Sequence, residues 1–425
     1  MHFNLISLFP EFFETPLACG LLGKARDQEI VTFSIVNPRE FATDKHRSVD
    51  DRPYGGGPGM VLTPEPLAKA LDTLRNQGKI IVLTPEGEPF GQDMAESLAD
   101  ETVVTLVCGR YEGIDARIEH LYPIHKVSVG DFVLSGGESA ALCLIEAVSR
   151  LQANYLGSTQ SATEESFSLD VLEYPHYTRP ANFRGLEVPE ILRSGHHSNI
   201  EVWRREQSLV KTLRNRPDLL EQAHLLPEEY KLLRNEPRSK LGRNLYLALV
   251  HYPVLNKHGQ TGIVSLTNLD IHDIARVCCS YGLGGLFLLH PLKDQQHLAQ
   301  RLLDHWRQGP GGEANPDRGK ALQCVYIVED FSEAVRSVES LTGQSPCVVG
   351  TSAQDYGQLR YSQVRGILDN SPVLLLFGTG YGLAPELLDQ TEGVLRPLRY
   401  LDAYNHLSVR SAVSITVDRV LGDVY

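Results

Sequence analysis

The sequence predicts an α/β protein: two similar sheet domains with a small helical domain between them. Three observations predict it. First, short β-branched runs alternate with amphipathic helical stretches over residues 3–151 and again over 244–425, the pattern of a mostly parallel sheet with helices on its faces. Second, residues 190–234 read as helical almost throughout, too small a stretch to be another α/β unit. Third, the two alternating regions echo each other at a spacing of roughly 270 residues, found by comparing the chain with itself. Val107-Cys108-Gly109-Arg110-Tyr111-Glu112-Gly113 parallels Phe377-Gly378-Thr379-Gly380-Tyr381-Gly382, and Leu134-Ser135 before a helix parallels Leu407-Ser408 before another. Matches this short also arise by chance.

Taken in order, Met1-His2-Phe3-Asn4-Leu5-Ile6-Ser7-Leu8 carries neither a basic leader nor a small-residue cleavage site, so it reads as a first strand. Strands are then expected at 30–36, 80–83, 103–108 and 125–129, and helices at 64–75 and 136–151. Thr63 before Pro64 and Glu65 makes a helix start, with a capping hydroxyl and a proline in the first turn. The pattern breaks into Ser, Thr and Glu after residue 156, so 1–156 is read as the first domain and 157–178 as a linker or active-site loop. A helical domain follows at 179–236, then a linker at 235–242, then a second α/β domain at 243–425. In that last domain strands are expected at 244–250, 285–289, 325–328, 347–350 and 373–377, with a closing helix at 407–421.

Composition narrows the function classes. No apolar run reaches the ~20 residues of a membrane-spanning helix, and 42% hydrophobic with 22% charged residues suits a globular cytoplasmic protein. The seven cysteines lack the paired spacing of zinc or redox sites and read as buried thiols in a reducing compartment. A net charge of −13 argues against a protein that coats nucleic acid by bulk electrostatics. An RNA partner would need a local basic surface. Between 179 and 216, Arg184, Arg193, Arg204, Arg205, Lys211 and Arg214 supply one candidate, the alternative being an ordinary solvated helix face.

The most unusual string is Asp50-Asp51-Arg52-Pro53-Tyr54-Gly55-Gly56-Gly57-Pro58-Gly59-Met60, whose glycines permit close approach of a ligand or simply a flexible turn. Leu83-Thr84-Pro85-Glu86-Gly87, Cys108-Gly109-Arg110-Tyr111-Glu112-Gly113-Ile114-Asp115 and Ser128-Val129-Gly130-Asp131-Phe132-Val133-Leu134-Ser135-Gly136-Gly137-Glu138 each follow an expected strand. All three would gather at the carboxyl ends of the strands, where open α/β sheets bind ligands. No phosphate loop occurs and no dinucleotide fingerprint follows the first strand, which disfavours ATP and NAD.

These strings, with Ser161-Ala162-Thr163-Glu164-Glu165-Ser166-Phe167 and Pro175-His176-Tyr177-Thr178-Arg179-Pro180, resemble the bacterial tRNA (guanine-N1)-methyltransferases over residues 3–229. The resemblance implies a trefoil-knotted SPOUT-type domain, an exception to the unknotted rule, and a homodimer whose active site is completed across the interface. It implies S-adenosylmethionine bound by Pro85, Gly109, Tyr111, Val129, Gly130, Asp131, Phe132, Val133, Leu134, Gly136 and Gly137, and tRNA contacted by Asp50, Arg52, Tyr54, Gly55, Gly56, Gly57 and Arg179. Neither DNA nor a membrane is an expected partner.

Methylation at guanine N1 needs a base to remove the N1 proton and a cation for the charge that develops on O6. By the resemblance Arg150 is the cation. The family's base is an aspartate where this chain has Glu165, whose extra methylene carries the oxygen roughly 1.5 Å further. Glu164 is the fallback base. Glu112 matches a carboxylate near the transfer centre where a divalent ion such as Mg2+ has been implicated, and no metal ligand set is assigned.

Beyond residue 244, His251-Tyr252-Pro253-Val254, Thr267-Asn268-Leu269-Asp270-Ile271-His272-Asp273-Ile274-Ala275-Arg276, Leu376-Phe377-Gly378-Thr379-Gly380-Tyr381-Gly382-Leu383 and Tyr404-Asn405-His406-Leu407-Ser408-Val409-Arg410-Ser411-Ala412 resemble a second SPOUT-type RNA methyltransferase domain. The fold expected is thus two trefoil-knotted SPOUT-type domains around the helical one. Candidate residues in the second are Arg276, Gly378, Gly380, Asn405, Ser408 and Arg410. Two readings stay open there: a methyltransferase with its own RNA target, or a non-catalytic RNA-binding or dimerisation module. For the whole chain the competing reading is a tRNA-binding protein without catalysis, which would not need both Arg150 and a carboxylate.

Overall fold

The computed structural model describes residues 1–156, 165–167, 170–399 and 405–422, the side chains of 238 and 239 excepted. Glu164 lies outside the described residues. The chain divides into two compact units, Met1–Leu169 and Asp170–Tyr425.

In the first unit, in chain order, stand β1 (His2–Ile6), α1 (Gly20–Asp27), β2 (Thr32–Val36), β3 (Asp50–Asp51), β4 (Val61–Leu62), α2 (Pro64–Asp72), β5 (Lys79–Pro89), α3 (Gln92–Ala99), β6 (Val103–Cys108), α4 (Ile118–Leu121), β7 (Ile124–Ser128) and α5 (Glu138–Ser149). The five long strands form one parallel sheet in the order β2-β1-β6-β5-β7. Their sequences read as nearly continuous apolar runs because both faces are covered. On one face Phe3, Leu5, Ile81 and Leu106 meet Ala141, Leu144, Ile145 and Val148 of α5. On the other, Ile6, Ile80, Val82 and Val107 meet Leu67, Ala70 and Leu71 of α2. This odd and even division is the period of two that an extended strand imposes.

Pro64 opens α2 as expected, but the Thr63 side chain makes no capping bond. Its hydroxyl instead donates to the Val49 carbonyl at 3.1 Å. A strand-like partner 14 residues back competes successfully for the same group, as hydroxyls near helix ends allow.

The second unit begins with the helical module: the hairpin β8 (Asn182–Phe183) and β9 (Leu186–Glu187), then α6 (Glu190–Arg193), α7 (His197–Asn215) and α8 (Pro227–Asn235). Helix is therefore less continuous than expected. Gly195 at φ +75° separates α6 from α7, and Pro217 and Pro227 open a short 3-10 turn and α8, since proline cannot continue a preceding helix. Val171, Leu209, Leu213, Leu220, Leu225 and Leu233 make its core. The run after it, expected as a linker, is a 3-10 stretch from Pro237 to Asn244. Leu241 is buried in the core of the following sheet, and Asn244 Nδ2 donates to the Leu368 carbonyl at 2.8 Å.

That sheet domain contains β10 (Leu245–Val250), β11 (Val254–Leu255), β12 (Thr261–Gly262), α9 (Asn268–Ser280), β13 (Gly285–Leu289), α10 (Lys293–Arg307), α11 (Pro310–Ala314), α12 (Pro316–Leu322), β14 (Val325–Val328), α13 (Phe331–Thr342), β15 (Cys347–Thr351), α14 (Tyr361–Leu368), β16 (Val373–Gly378), α15 (Pro385–Leu388), β17 (Gly393–Leu395) and α16 (Val409–Leu421). Its parallel sheet runs β14-β13-β10-β16-β15-β17. The run β2-β1-β6-β5-β7 of the first sheet has its counterpart in β13-β10-β16-β15-β17, so the sequence echo coincides with the same order of strands. The edge strand β17 carried no sequence signal, being three residues behind the polar Gln390-Thr391-Glu392. Among the described residues, no helix is long and apolar enough to cross a membrane.

Candidate active site

The irregular part of β5, where its register shifts between Leu83 and Glu88, and the loops that follow β6 and β7 converge at the carboxyl edge of the first sheet around a cavity of about 440 Å³. The segment 83–87, expected to follow a strand, lies within one. Pro85, Gly109, Tyr111, Val129, Gly130, Phe132, Val133, Leu134, Gly136 and Gly137 all line it, as does Glu112. Asp131 does not: it is exposed, and its neighbours on either side supply the wall. Glycine is needed here for close packing. A Cβ on Gly137 would come 2.7 Å from the Cα of Cys108, and one on Gly136 would overlap the Arg110 guanidinium. Gly137 N donates to Gly109 O at 2.9 Å, which pins the β7 loop on the β6 loop.

Across the cavity Lys126 bridges Glu86 and Glu119, each at 2.6 Å. These carboxylates hold the ammonium pKa above its ordinary value. Lys126 had no motif to single it out, lying in the mixed strand Ile124-His125-Lys126-Val127-Ser128. Burial, reinforced by Glu138, pushes the Cys108 thiol well up, so it stays protonated and is no nucleophile.

Asp50 lies in β3 and pairs with Leu62 of β4. Arg52, Tyr54, Gly55, Gly56 and Gly57 follow in the connecting loop, where Tyr54 is fully exposed and the three glycines have positive φ. This loop ends against the cavity: Glu112 N donates to Met60 O at 2.9 Å, and a Cβ on Gly59 would overlap the Glu112 side chain. The glycine string and Glu112 thus belong to one constellation, a contact invisible in the sequence because 52 residues separate Met60 and Glu112.

Arg150 caps the end of α5, and its Nη2 lies 2.6 Å from Glu165 Oε1 with both side chains part-exposed. The two residues assigned to proton removal and charge stabilisation therefore meet. Neither lines the cavity formed by the loops of the same chain.

In the helical module Arg179 is exposed. Several expected RNA-facing cations are occupied internally: Arg205 pairs with Glu229 at 2.7 Å, Arg214 with Glu236 at 2.9 Å, and Lys211 donates to the Glu173 carbonyl at 2.8 Å. Arg184 and Arg193 remain exposed, Arg193 with Glu187 at 3.5 Å.

The second sheet carries a cavity of about 460 Å³ at its equivalent edge, lined by Thr267, Asp270, Thr351, Gly378, Thr379, Gly380, Tyr381, Asn405, His406 and Ser408 among others. Gly380 has φ +63° where Tyr111 of the first loop has +58°, and Gly382 has +107° where Gly113 has +126°. By this correspondence Tyr381 stands where Glu112 stands. Arg410 lies beside the cavity rather than in its wall, with Nη1 2.8 Å from Asp270. Arg276 is exposed on α9 and does not line it. Beneath, His251 is fully buried, its ring 5.6 Å from that of His290 and its nitrogens without hydrogen-bond partners. Burial lowers its pKa to about 4. Among the described residues no group of three His, Cys, Asp or Glu side chains is placed to hold a metal ion.

Comparison with known proteins agrees with this division. The family described as tRNA (Guanine-1)-methyltransferase TrmD matches residues 1–222, and that described as SAM-dependent RNA methyltransferase matches 244–422. The chain is 56% identical to the tRNA (guanine-N(1)-)-methyltransferase of Oleidesulfovibrio alaskensis and 54% identical to that of Nitratidesulfovibrio vulgaris, each over the full length of both chains. A protein of the same name from Brevibacillus brevis is 50% identical over 235 residues, which are 55% of this chain and 97% of that one. The chain belongs to the tRNA (guanine-1)-methyltransferase family and carries, in addition, a C-terminal SAM-dependent RNA methyltransferase domain.

Proposed function

We propose that the first unit transfers a methyl group from S-adenosylmethionine to N1 of the guanine 3′ of the anticodon, position 37, in tRNA. The observation that carries this is the convergence of the irregular segment of β5, two glycine-rich loops and Glu112 on one cavity, in a chain of this family. The cavity fits the cofactor by its chemistry: close-packed glycines bring backbone N–H and C=O groups to the wall, where they can bond an adenine edge. When bound, the cofactor supplies an electrophilic methyl group on a sulfonium.

The chain's own groups do the rest. The Glu165 carboxylate accepts the N1 proton, which makes the ring nitrogen a competent nucleophile. The Arg150 guanidinium faces the charge that spreads to O6, an interaction stronger in the transition state than in the ground state. Their 2.6 Å contact holds the carboxylate in place before substrate arrives. Because Arg150 and Glu165 do not line the loop cavity of their own chain, a homodimer in which one protomer lends them to its partner's cavity accounts for both features. A trefoil-knotted SPOUT-type path for both sheet domains and a cytoplasmic site of action follow from the same reading. The glycine loop and Arg179 would hold the tRNA. Glu112, the carboxylate expected near Mg2+, shares the cavity wall with Glu86 and Glu119, but among the described residues it belongs to no group of three His, Cys, Asp or Glu side chains placed to hold a metal ion.

The test is transfer of tritium-labelled methyl to tRNA transcripts with and without guanine at that position. Labelling confined to the guanine-bearing transcript is expected. Equal labelling of both overturns the assignment.

The second domain, on this reading, is a further methyltransferase with its own RNA target. The observation favouring it over a non-catalytic module is the polar wall of its cavity, where packing alone would use apolar side chains. Calorimetry of the full chain with S-adenosylmethionine is expected to give two cofactor sites per chain; one site favours the module.

A further inference from the structure

We propose that Glu138 is a positioning residue for the transfer reaction, its buried carboxylate fixing the geometry of the cofactor loops. Glu138 is the first residue of α5 and is 1% exposed. Two separate segments are fastened to it directly, and the loop before it through the second of them. Ser7 Oγ, just past β1, donates to Oε1 at 2.7 Å. Arg110, in the loop after β6, places Nη2 2.9 Å from Oε2. Arg110 in turn donates from Nη1 to the Ser135 carbonyl at 3.3 Å, which ties in the loop after β7. Phe9 completes the cluster, its ring 4.4 Å from the guanidinium and its N–H donating to Ser7 Oγ at 3.0 Å.

A carboxylate this buried persists only when paired, because desolvation of a lone charge is prohibitive. Its place in the first turn of α5 adds the favourable end of the helix dipole. Without its charge, Arg110 keeps a route to water, being 22% exposed, and the loop held through Ser135 loses its anchor. Cofactor binding would then have to order that loop itself, and the cost appears as lost affinity. The second domain supports the idea independently. Its corresponding helix, α16, has Arg410 as second residue, 2.8 Å from Asp270, whose side chain is 12% exposed. The polarity is reversed, yet an ion pair again ties the start of the last helix to an earlier segment beside the cavity.

This proposal rests on the cofactor reading of the first cavity. In the full chain, Glu138→Gln preserves shape and removes charge. The expected result is a rise of about tenfold in KM for S-adenosylmethionine, about 1.4 kcal/mol of binding. At saturating cofactor, kcat should stay within about twofold of the parent. A merely structural role would lower Tm and the active fraction while leaving KM unchanged, and that outcome overturns the proposal. Should Glu138→Gln not fold, Arg110→Lys decides, since it keeps both charges and removes the fork that spans Glu138 and Ser135. The same split between KM and kcat is required of it. If the parent chain itself binds no S-adenosylmethionine, the cofactor reading fails; if parent and variant bind equally, only the role of Glu138 does.

Discussion

On the proposed function, Glu165 and Arg150 are the residues on which the chemistry turns, and each carries a separable prediction. Positioned general bases contribute about 10²–10⁴-fold, so Glu165→Gln is expected to lose at least about a hundredfold in kcat while still binding cofactor by calorimetry. Glu165→Asp shortens the arm by one methylene, to the length the family resemblance implies, and should retain activity within about tenfold; full activity in Glu165→Gln would remove the residue from the mechanism. Arg150→Gln leaves the carboxylate without its 2.6 Å partner and should depress kcat with little change in cofactor KM, as read from initial rates. Both residues were singled out in the sequence by the family resemblance of the strings around them. What could not be read there was their contact, because it depends on where α5 ends and how the chain returns.

At the scale of elements, the loops around the first cavity are a packing problem solved with glycine. Gly137 approaches Cys108 so closely that a methyl group at 2.7 Å from its Cα forces backbone apart. Gly137→Ala should therefore destabilise by about 1–3 kcal/mol, seen as a lower Tm, and should weaken cofactor binding by calorimetry; a fully stable, tight-binding variant would count against the packing described. Strands and helices with strong periodicity were legible: β6, β13 and β14 begin and end where the alternation says. The failures have local causes. Thr63 reads as a cap but bonds Val49, since a hydroxyl takes whichever carbonyl or amide the tertiary path brings near. The three-residue β17 is defined by pairing with β15 and has no periodicity to read.

For the whole molecule, the second sheet contains a pH liability. His251 and His290 both have pKa values lowered by burial, His251 to about 4. Above pH ~6.5, the ordinary histidine value, both folded and unfolded chains hold His251 neutral and its full stability contribution is present. As pH falls from ~6.5 toward ~4 the unfolded chain takes up the proton first, so stability is lost, on the order of 3 kcal/mol for this residue. Hydrogen-exchange protection in β10 should fall over that window and fall less in His251→Gln; a flat profile in the parent would contradict the burial described. The sequence by itself determined the α/β class and the repeat of the sheet pattern, because periodicity is a local property of the chain; its family resemblance pointed to the residues that line the first cavity, Asp131 excepted. Tertiary structure alone decided that Gly59 packs on Glu112, that Arg110, Ser7 and Glu138 form one buried cluster, and that Arg410 rather than Arg276 stands beside the second cavity. Those pairings join segments up to 140 residues apart, and the order in which parallel strands assemble, which no local pattern encodes, is what brings them together.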